Sequence, residues 1–140
     1  MDLPDLEATR AHATATAARL PTGALLILTG PLGAGKTTYV AALAAALGSA
    51  ADVTSPTYTL VHEYPTPQGP LVHVDAYRLD PALDLDAALD LGDVLDRARA
   101  VVVEWGLALL DHHPEAWHLE LSRVGERRRA LWRRPAGGPA

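Results

Sequence analysis

The chain has 140 residues and a mass of 14.8 kDa, a length that suits one compact domain. With no cysteine it can hold no disulfide scaffold, thiol nucleophile, iron–sulfur cluster or thiolate-liganded zinc. A net charge of −5 argues against general affinity for nucleic acid, while 49% apolar and 21% charged residues describe a soluble folded protein. No apolar run approaches the roughly 20 residues of a membrane span, and the acidic start at residues 1–5 lacks a secretion signal, so a cytoplasmic location is expected. Of the 12 Lys and Arg residues only Lys36 is a lysine, a bias that the codons of a GC-rich genome would impose.

Leu6, Ala13, Ala17 and Leu20 fit one face of an opening helix only loosely, and Pro21-Thr22-Gly23 ends it. Residues 24–29 are apolar without alternation and read as a central strand buried on both faces. A glycine-rich turn at 30–35 leads into a helix with Val40, Leu43, Ala44 and Leu47 on one stripe, closed by Gly48. Residues 58–64 and 71–75 read as an antiparallel hairpin across the short segment 65–70. An Asp-rich stretch carries Leu91, Val94, Leu95 and Ala98 at helical spacing, and 100–104 is a second apolar strand that ends in a carboxylate. Residues 117–121 and 129–132 alternate as a final pair of half-exposed strands. The predicted fold is α/β, a phosphate-loop layer fold whose mixed central sheet is flanked by helices. Residues 1–134 are read as one domain and 135–140 as a Pro/Gly/Ala tail without fixed structure.

Gly30-Pro31-Leu32-Gly33-Ala34-Gly35-Lys36-Thr37 matches the phosphate-binding pattern G-x-x-x-x-G-K-[ST] at every fixed position. Glycines let the backbone curl so that successive N–H groups point inward around an anion, and the next helix adds the positive end of its dipole. Lys36 supplies a mobile ammonium for the β- and γ-phosphates, and the Thr37 hydroxyl is placed to ligate Mg²⁺. The strand before the loop and the amphipathic helix after it are the context this motif demands, so a nucleotide is expected on residues 31–38, Thr38 included. Pro31 removes one N–H from the rim of the cup.

A phosphate loop also needs a metal-holding carboxylate at the end of a neighbouring strand. Asp75 closes 71–74 and Glu104 closes 100–103, and strand ends of this kind meet ligands in open α/β sheets. Either carboxylate can ligate Mg²⁺ or position the attacking water.

Four blocks, in order, then carry a resemblance: 33–38, Thr54-Ser55-Pro56-Thr57-Tyr58-Thr59-Leu60, His73-Val74-Asp75-Ala76-Tyr77-Arg78-Leu79 and Glu104-Trp105. The first block is generic, whereas Ser-Pro-Thr-Tyr followed by His-x-Asp-x-Tyr-Arg-Leu is much more specific. With them the chain resembles the bacterial TsaE family, small ATPases needed for threonylcarbamoyladenosine modification of tRNA. The resemblance implies ATP and Mg²⁺ as cofactors, with Lys36 and Thr37 on phosphate and metal and Asp75 as a metal-associated aspartate. It also implies a nucleotide-sensing loop at Thr57, a Glu104-Trp105 pair beside the nucleotide, and TsaB and TsaD as protein partners. Gly106-Leu107 departs from the family, which often continues with an acidic residue after the Glu-Trp pair.

Other signals have plainer readings. Arg78 is expected to pair with an acid such as Asp80 rather than to serve the γ-phosphate, and the six Asp residues between 80 and 96 read as a solvated face. His73 shares a strand face with Asp75 and could support it. Six arginines between 123 and 134 form a basic cluster that suits either tRNA, an acidic partner or a charge-protected edge hairpin. Two rival functions remain open at this point: a small-molecule kinase, and a nucleotide-gated binding module that does not hydrolyse ATP.

Overall fold

A computed structural model describes residues 1–31, 33–50, 61–76 and 84–134. In chain order the elements are β1 (Asp2–Leu3), α1 (Leu6–Arg19), β2 (Ala24–Thr29), α2 (Lys36–Ala46), β3 (Val61–Tyr64) and β4 (Leu71–Asp75), followed by α3 (Leu85–Leu89), α4 (Leu91–Arg97) and β5 (Ala100–Glu104). A 3-10 turn (Leu107–Asp111) then precedes β6 (Trp117–Val124) and β7 (Arg127–Arg134). The strands form one sheet in the order β1-β7-β6-β2-β5-β4-β3. β2 lies parallel to both β5 and β6, and β4 is parallel to β5. The pairs β3–β4, β6–β7 and β1–β7 are antiparallel, so the sheet is mixed as predicted.

The unalternating sequences of β2 and β5 are explained by burial on both faces. Leu26, Leu28, Ala100 and Val102 join the core beneath α1 and α2. Leu25, Ile27, Val101 and Val103 join a second core with Leu85, Leu91 and Leu109 on the opposite face. Helices therefore cover both faces of the central strands, the arrangement that parallel sheets require.

The loose apolar pattern of α1 has a specific cause. Its buried positions are Thr9, His12, Ala13, Thr16 and Ala17, a helical stripe in which three residues are polar. Thr16 Oγ1 donates to the His12 carbonyl (3.0 Å) and lies 2.8 Å from the Tyr39 hydroxyl, which is 2.7 Å from His12 Nδ1. Using each hydroxyl proton once, His12 Nδ1–H donates to Tyr39, Tyr39 to Thr16, and Thr16 back to His12. The His12 ring also stacks on Trp132, 6.0 Å between centroids, so this network ties α1 to α2 and β7. Asp5 caps the helix by accepting from the Ala8 amide at 2.8 Å.

Arg99, 8% exposed, closes the other end of α1. Its guanidinium donates to the carbonyls of Ala17 (3.3 Å), Leu20 (3.0 Å) and Pro21 (3.2 Å). Its charge faces the negative end of the helix dipole, which makes this buried cation tolerable among the described residues without a carboxylate partner.

Several boundaries differ from those read in the sequence. β6 and β7 are eight residues each, longer than 117–121 and 129–132, because their ladder continues to Val124 and Arg127 at the turn, and β7 has a second partner in β1 that the sequence did not announce. The Asp-rich stretch holds two short helices, broken where Asp90 adopts φ +50°. Of the strand expected at 58–64, residues 61–64 form β3, while 58–60 and the tail 135–140 lie outside the described residues.

Arg99→Met should lower unfolding free energy by about 2–3 kcal/mol, because three carbonyls, two of them in buried hydrogen bonds, lose a charged donor. Urea denaturation monitored by circular dichroism measures it, and a loss below the measurement error would rule out the capping role. Burial, helped by the N-terminal ammonium, lowers the pKa of His12. The unfolded chain then takes up a proton near pH 6.5 that the folded chain resists, so this contribution to stability is complete above that pH and declines as pH falls below it. The fall in the wild-type urea midpoint between pH 7.5 and pH 5.5, two conditions that bracket the free imidazole, should be smaller in His12→Leu.

Candidate functional site

β2 delivers the chain at Thr29 to the edge of the sheet, where it turns through 30–35 into α2. Gly30 adopts φ +148°, and a Cβ there would run into the Leu121 carbonyl oxygen of β6, so a side chain is excluded on both counts. Gly35, at φ +95°, is the residue from which α2 starts. The first amides of this 11-residue helix have no helical acceptor, and with the loop amides they make a place for an anion.

Lys36 folds back over the loop. Its ammonium donates to the carbonyls of Gly30 (2.5 Å) and Pro31 (3.0 Å) and lies 4.8 Å from the centre of the Trp105 ring. The residue is 6% exposed. Burial lowers its pKa, against the upward pull of Glu104 and then of Asp75.

Those two carboxylates arrive by strand register. Leu28 of β2 stands opposite Glu104 of β5, which stands opposite Asp75 of β4. Loop, Glu104 and Asp75 thus meet at the carboxyl ends of three adjacent parallel strands. Glu104 is 4% exposed and Asp75 is half-buried. The Glu104 carbonyl accepts from the Ala76 amide at 3.0 Å, which locks the two strand ends together. Trp105 follows at φ +63°, a strained conformation for an aromatic residue, and the turn closes at Gly106, where a Cβ would meet Val103 Cγ1 at 2.6 Å.

The sequence-derived site residues fall into three groups. Gly33, Ala34, Gly35, Lys36, Thr37 and Thr38 lie in the loop and first helical turn, with Thr37 half-buried and Thr38 exposed. Asp75, Glu104 and Trp105 gather on one side of that loop, and Pro31 lies exposed on its rim. Leu32, Thr57 and Arg78 lie outside the described residues. His73 shares the strand face of Asp75 as expected, but its hydrogen bond goes to Glu104, with Nε2 2.5 Å from Oε2. Among the described residues no three carboxylates or imidazoles gather into a metal cage, so a Mg²⁺ ion here would take most of its ligands from phosphate and water, as that ion ordinarily does.

The arginine cluster of the last hairpin does not form a single patch. Arg134 donates to the carbonyls of Leu110 and His113, Arg129 pairs with Asp2, and Arg133 pairs with Glu120. Arg128 leans on the loop instead, its Nε 3.2 Å from where a Gly35 Cβ would stand. With Glu126, Thr38, Leu121, Pro4 and Asp5 it lines a cavity of about 220 Å³ on the side of the loop away from Glu104. Sequence reasoning missed this cavity because its walls come from the N-terminus, α2 and the last hairpin, which only the sheet order brings together. His118, beside the loop on β6, hydrogen-bonds Thr29 Oγ1 at 2.8 Å and steadies the end of β2.

Comparison with known proteins agrees with this geometry. A family model described as "Threonylcarbamoyl adenosine biosynthesis protein TsaE" matches residues 3–131. A Bacillus subtilis protein named "tRNA threonylcarbamoyladenosine biosynthesis protein TsaE" is 36% identical over 126 residues, 89% of this chain and 78% of the relative. Proteins of the same name from Streptomyces coelicolor and Synechocystis are 48% identical over 89 residues and 46% over 78. Those two alignments cover 62% and 56% of this chain and span only 60% and 50% of the relatives' own lengths. The crystal structure of Bacillus subtilis YdiB superposes with a TM-score of 0.71 at 30% identity, covering 94% of this chain and 82% of that one. The chain belongs to the TsaE family of tRNA threonylcarbamoyladenosine biosynthesis proteins.

Proposed function

We propose that this protein binds Mg·ATP at the Gly30–Thr37 loop and hydrolyses it in concert with the TsaB and TsaD proteins of the same tRNA-modification pathway. The observation that carries the reading is the convergence of Lys36, Glu104 and Asp75 on one glycine-built loop at a helix N-terminus. Thr37, Asp75 and Glu104 are the residues that would hold Mg²⁺, which would supply neutralisation of the charge that develops during phosphoryl transfer.

The chain's own groups do the remaining work. Phosphate oxygens compete with the Gly30 and Pro31 carbonyls for the Lys36 ammonium, which swings on its flexible stem to meet them. Thr37, in the first turn of α2, offers a hydroxyl beside the phosphate-binding amides. Asp75 and Glu104 hold negative charge at the strand ends, one toward the metal and one toward the attacking water. The nucleoside would then extend along Thr38 into the cavity walled by Glu126 and Arg128. Little covalent chemistry falls to the protein, so turnover without partners is expected to be slow.

Two sets of measurements test this. Lys36→Arg should reduce ATP turnover about 100-fold, because a rigid planar fork replaces a compact ammonium, while circular dichroism and melting stay close to wild type. Asp75→Ala and Glu104→Ala should each lower single-turnover hydrolysis by about 100-fold or more without abolishing nucleotide binding. Arg128→Ala should weaken ATP and ADP alike by about tenfold, read by fluorescent-nucleotide titration. Co-purification with TsaB and TsaD, with and without ATP, tests the partners. A phosphorylated metabolite product would favour a kinase, and tight ATP binding without any single turnover would favour a gated binding module.

A further inference from the structure

Glu104 sits in a nearly closed environment, and a carboxylate on three rotatable bonds does not keep one orientation there unaided. β4 supplies the constraint. His73 and Asp75 point to the same side of the sheet as Ala100, Val102 and Glu104, and His73 stands opposite Val102, which places it diagonal to Glu104. The His73 ring is fully buried, with Tyr64 6.4 Å away centre to centre, so its own position is fixed by packing. Its Nε2 is 2.5 Å from Glu104 Oε2, whereas Nδ1 is buried and has no hydrogen-bond partner among the described residues. A neutral imidazole in this setting keeps its proton on Nε2. The other tautomer would set two lone pairs against each other at 2.5 Å and bury an unpaired N–H as well.

We propose that His73 is the positioning residue for Glu104, donating from Nε2 to Oε2 so that the second carboxylate oxygen is presented to the phosphate loop in one orientation. The inference rests on the reading of the site as an ATP-hydrolysing one. His73 is fully buried behind Glu104. It acts by limiting the rotamers of that carboxylate, as outer partners of ligand carboxylates commonly do. The orphaned Nδ1 fits this role: the burial of His73 leaves one ring nitrogen unsatisfied, and what the chain gains is one aligned hydrogen bond at the site.

The test uses the full chain with TsaB and TsaD present and two replacements of similar size. His73→Leu keeps the packing and removes the donor, and His73→Gln places an amide N–H where Nε2 stands. Single-turnover ATP hydrolysis should fall about 10- to 100-fold in His73→Leu and recover most of the loss in His73→Gln. The affinity for a fluorescent ADP analogue measured in EDTA, and the melting temperature, should stay near the wild-type values in both variants. A wild-type rate in His73→Leu overturns the inference alone. A loss of rate, affinity and melting temperature together that His73→Gln does not restore also overturns it, since that is the signature of a merely structural residue. Absence of turnover by the wild-type protein under the same conditions overturns the hydrolysis reading, and the inference falls with it.

Discussion

The site depends on the in-register parallel pairing of β2, β5 and β4. A parallel ladder fixes which strand ends lie side by side, and here it sets Leu28, Glu104 and Asp75 abreast at the edge where the phosphate loop begins. Because side chains alternate between faces, a slip of one residue in either pair would turn a carboxylate to the far side of the sheet. The register is held by burial on both faces, since Leu25 to Leu28 and Ala100 to Val103 are all almost inaccessible. Apolar packing therefore sets the geometry of the charged groups.

Concentrating charge at that edge is costly, and the fold offsets it locally. Lys36 and Glu104 are both nearly enclosed, and an isolated charge in such a place would be strongly disfavoured. Lys36 has two loop carbonyls and the face of Trp105 within reach, together with the field of Glu104 and Asp75. Glu104 has the His73 imidazole. Arg99 solves a similar problem elsewhere, with carbonyls at a helix end in place of a carboxylate. In each case the compensating group comes from backbone or from a side chain locked by packing, so the charges are held ready rather than collapsed onto one another.

Much of this was legible in the sequence. The loop motif, the fully apolar strands β2 and β5, the carboxylates that close β4 and β5, and the β3–β4 hairpin follow from residue types and spacing, and Gly48 does stand just beyond α2 at φ +98°. What escaped has identifiable causes. The apolar signal of α1 is weak because Thr9, His12 and Thr16 occupy its buried stripe, each satisfied by hydrogen bonds that hydrophobic periodicity cannot see. β1 is two residues long, too short for any pattern. The bond from His73 to Glu104 spans 31 positions and required knowledge of which strands pair, as did the meeting of Arg128 with Gly35. The arginines of the last hairpin show the converse, since one-dimensional clustering suggested a single surface and the sheet distributes them among separate tasks.

The lone lysine can be understood from the same geometry. Codon bias leaves arginine wherever a generic positive charge suffices, and among the described residues the arginines that make hydrogen bonds or ion pairs lie at helix ends or on the last hairpin, where a fork of donors is an advantage. Inside the loop the requirement differs. The cation must fit against Gly30 and Pro31 carbonyls in a space roofed by an aromatic ring, and on the proposed function it would leave them for an anion without rearranging the backbone. An ammonium has three donors that rotate freely about a single bond, so exchanging a carbonyl for a phosphate oxygen takes only a torsional adjustment. A guanidinium presents its donors in a fixed plane and would have to turn as a whole within walls set by Gly30, whose Cα lies against β6 with no room for even a methyl group. The close packing that forces glycine at position 30 is therefore the same constraint that keeps lysine at position 36.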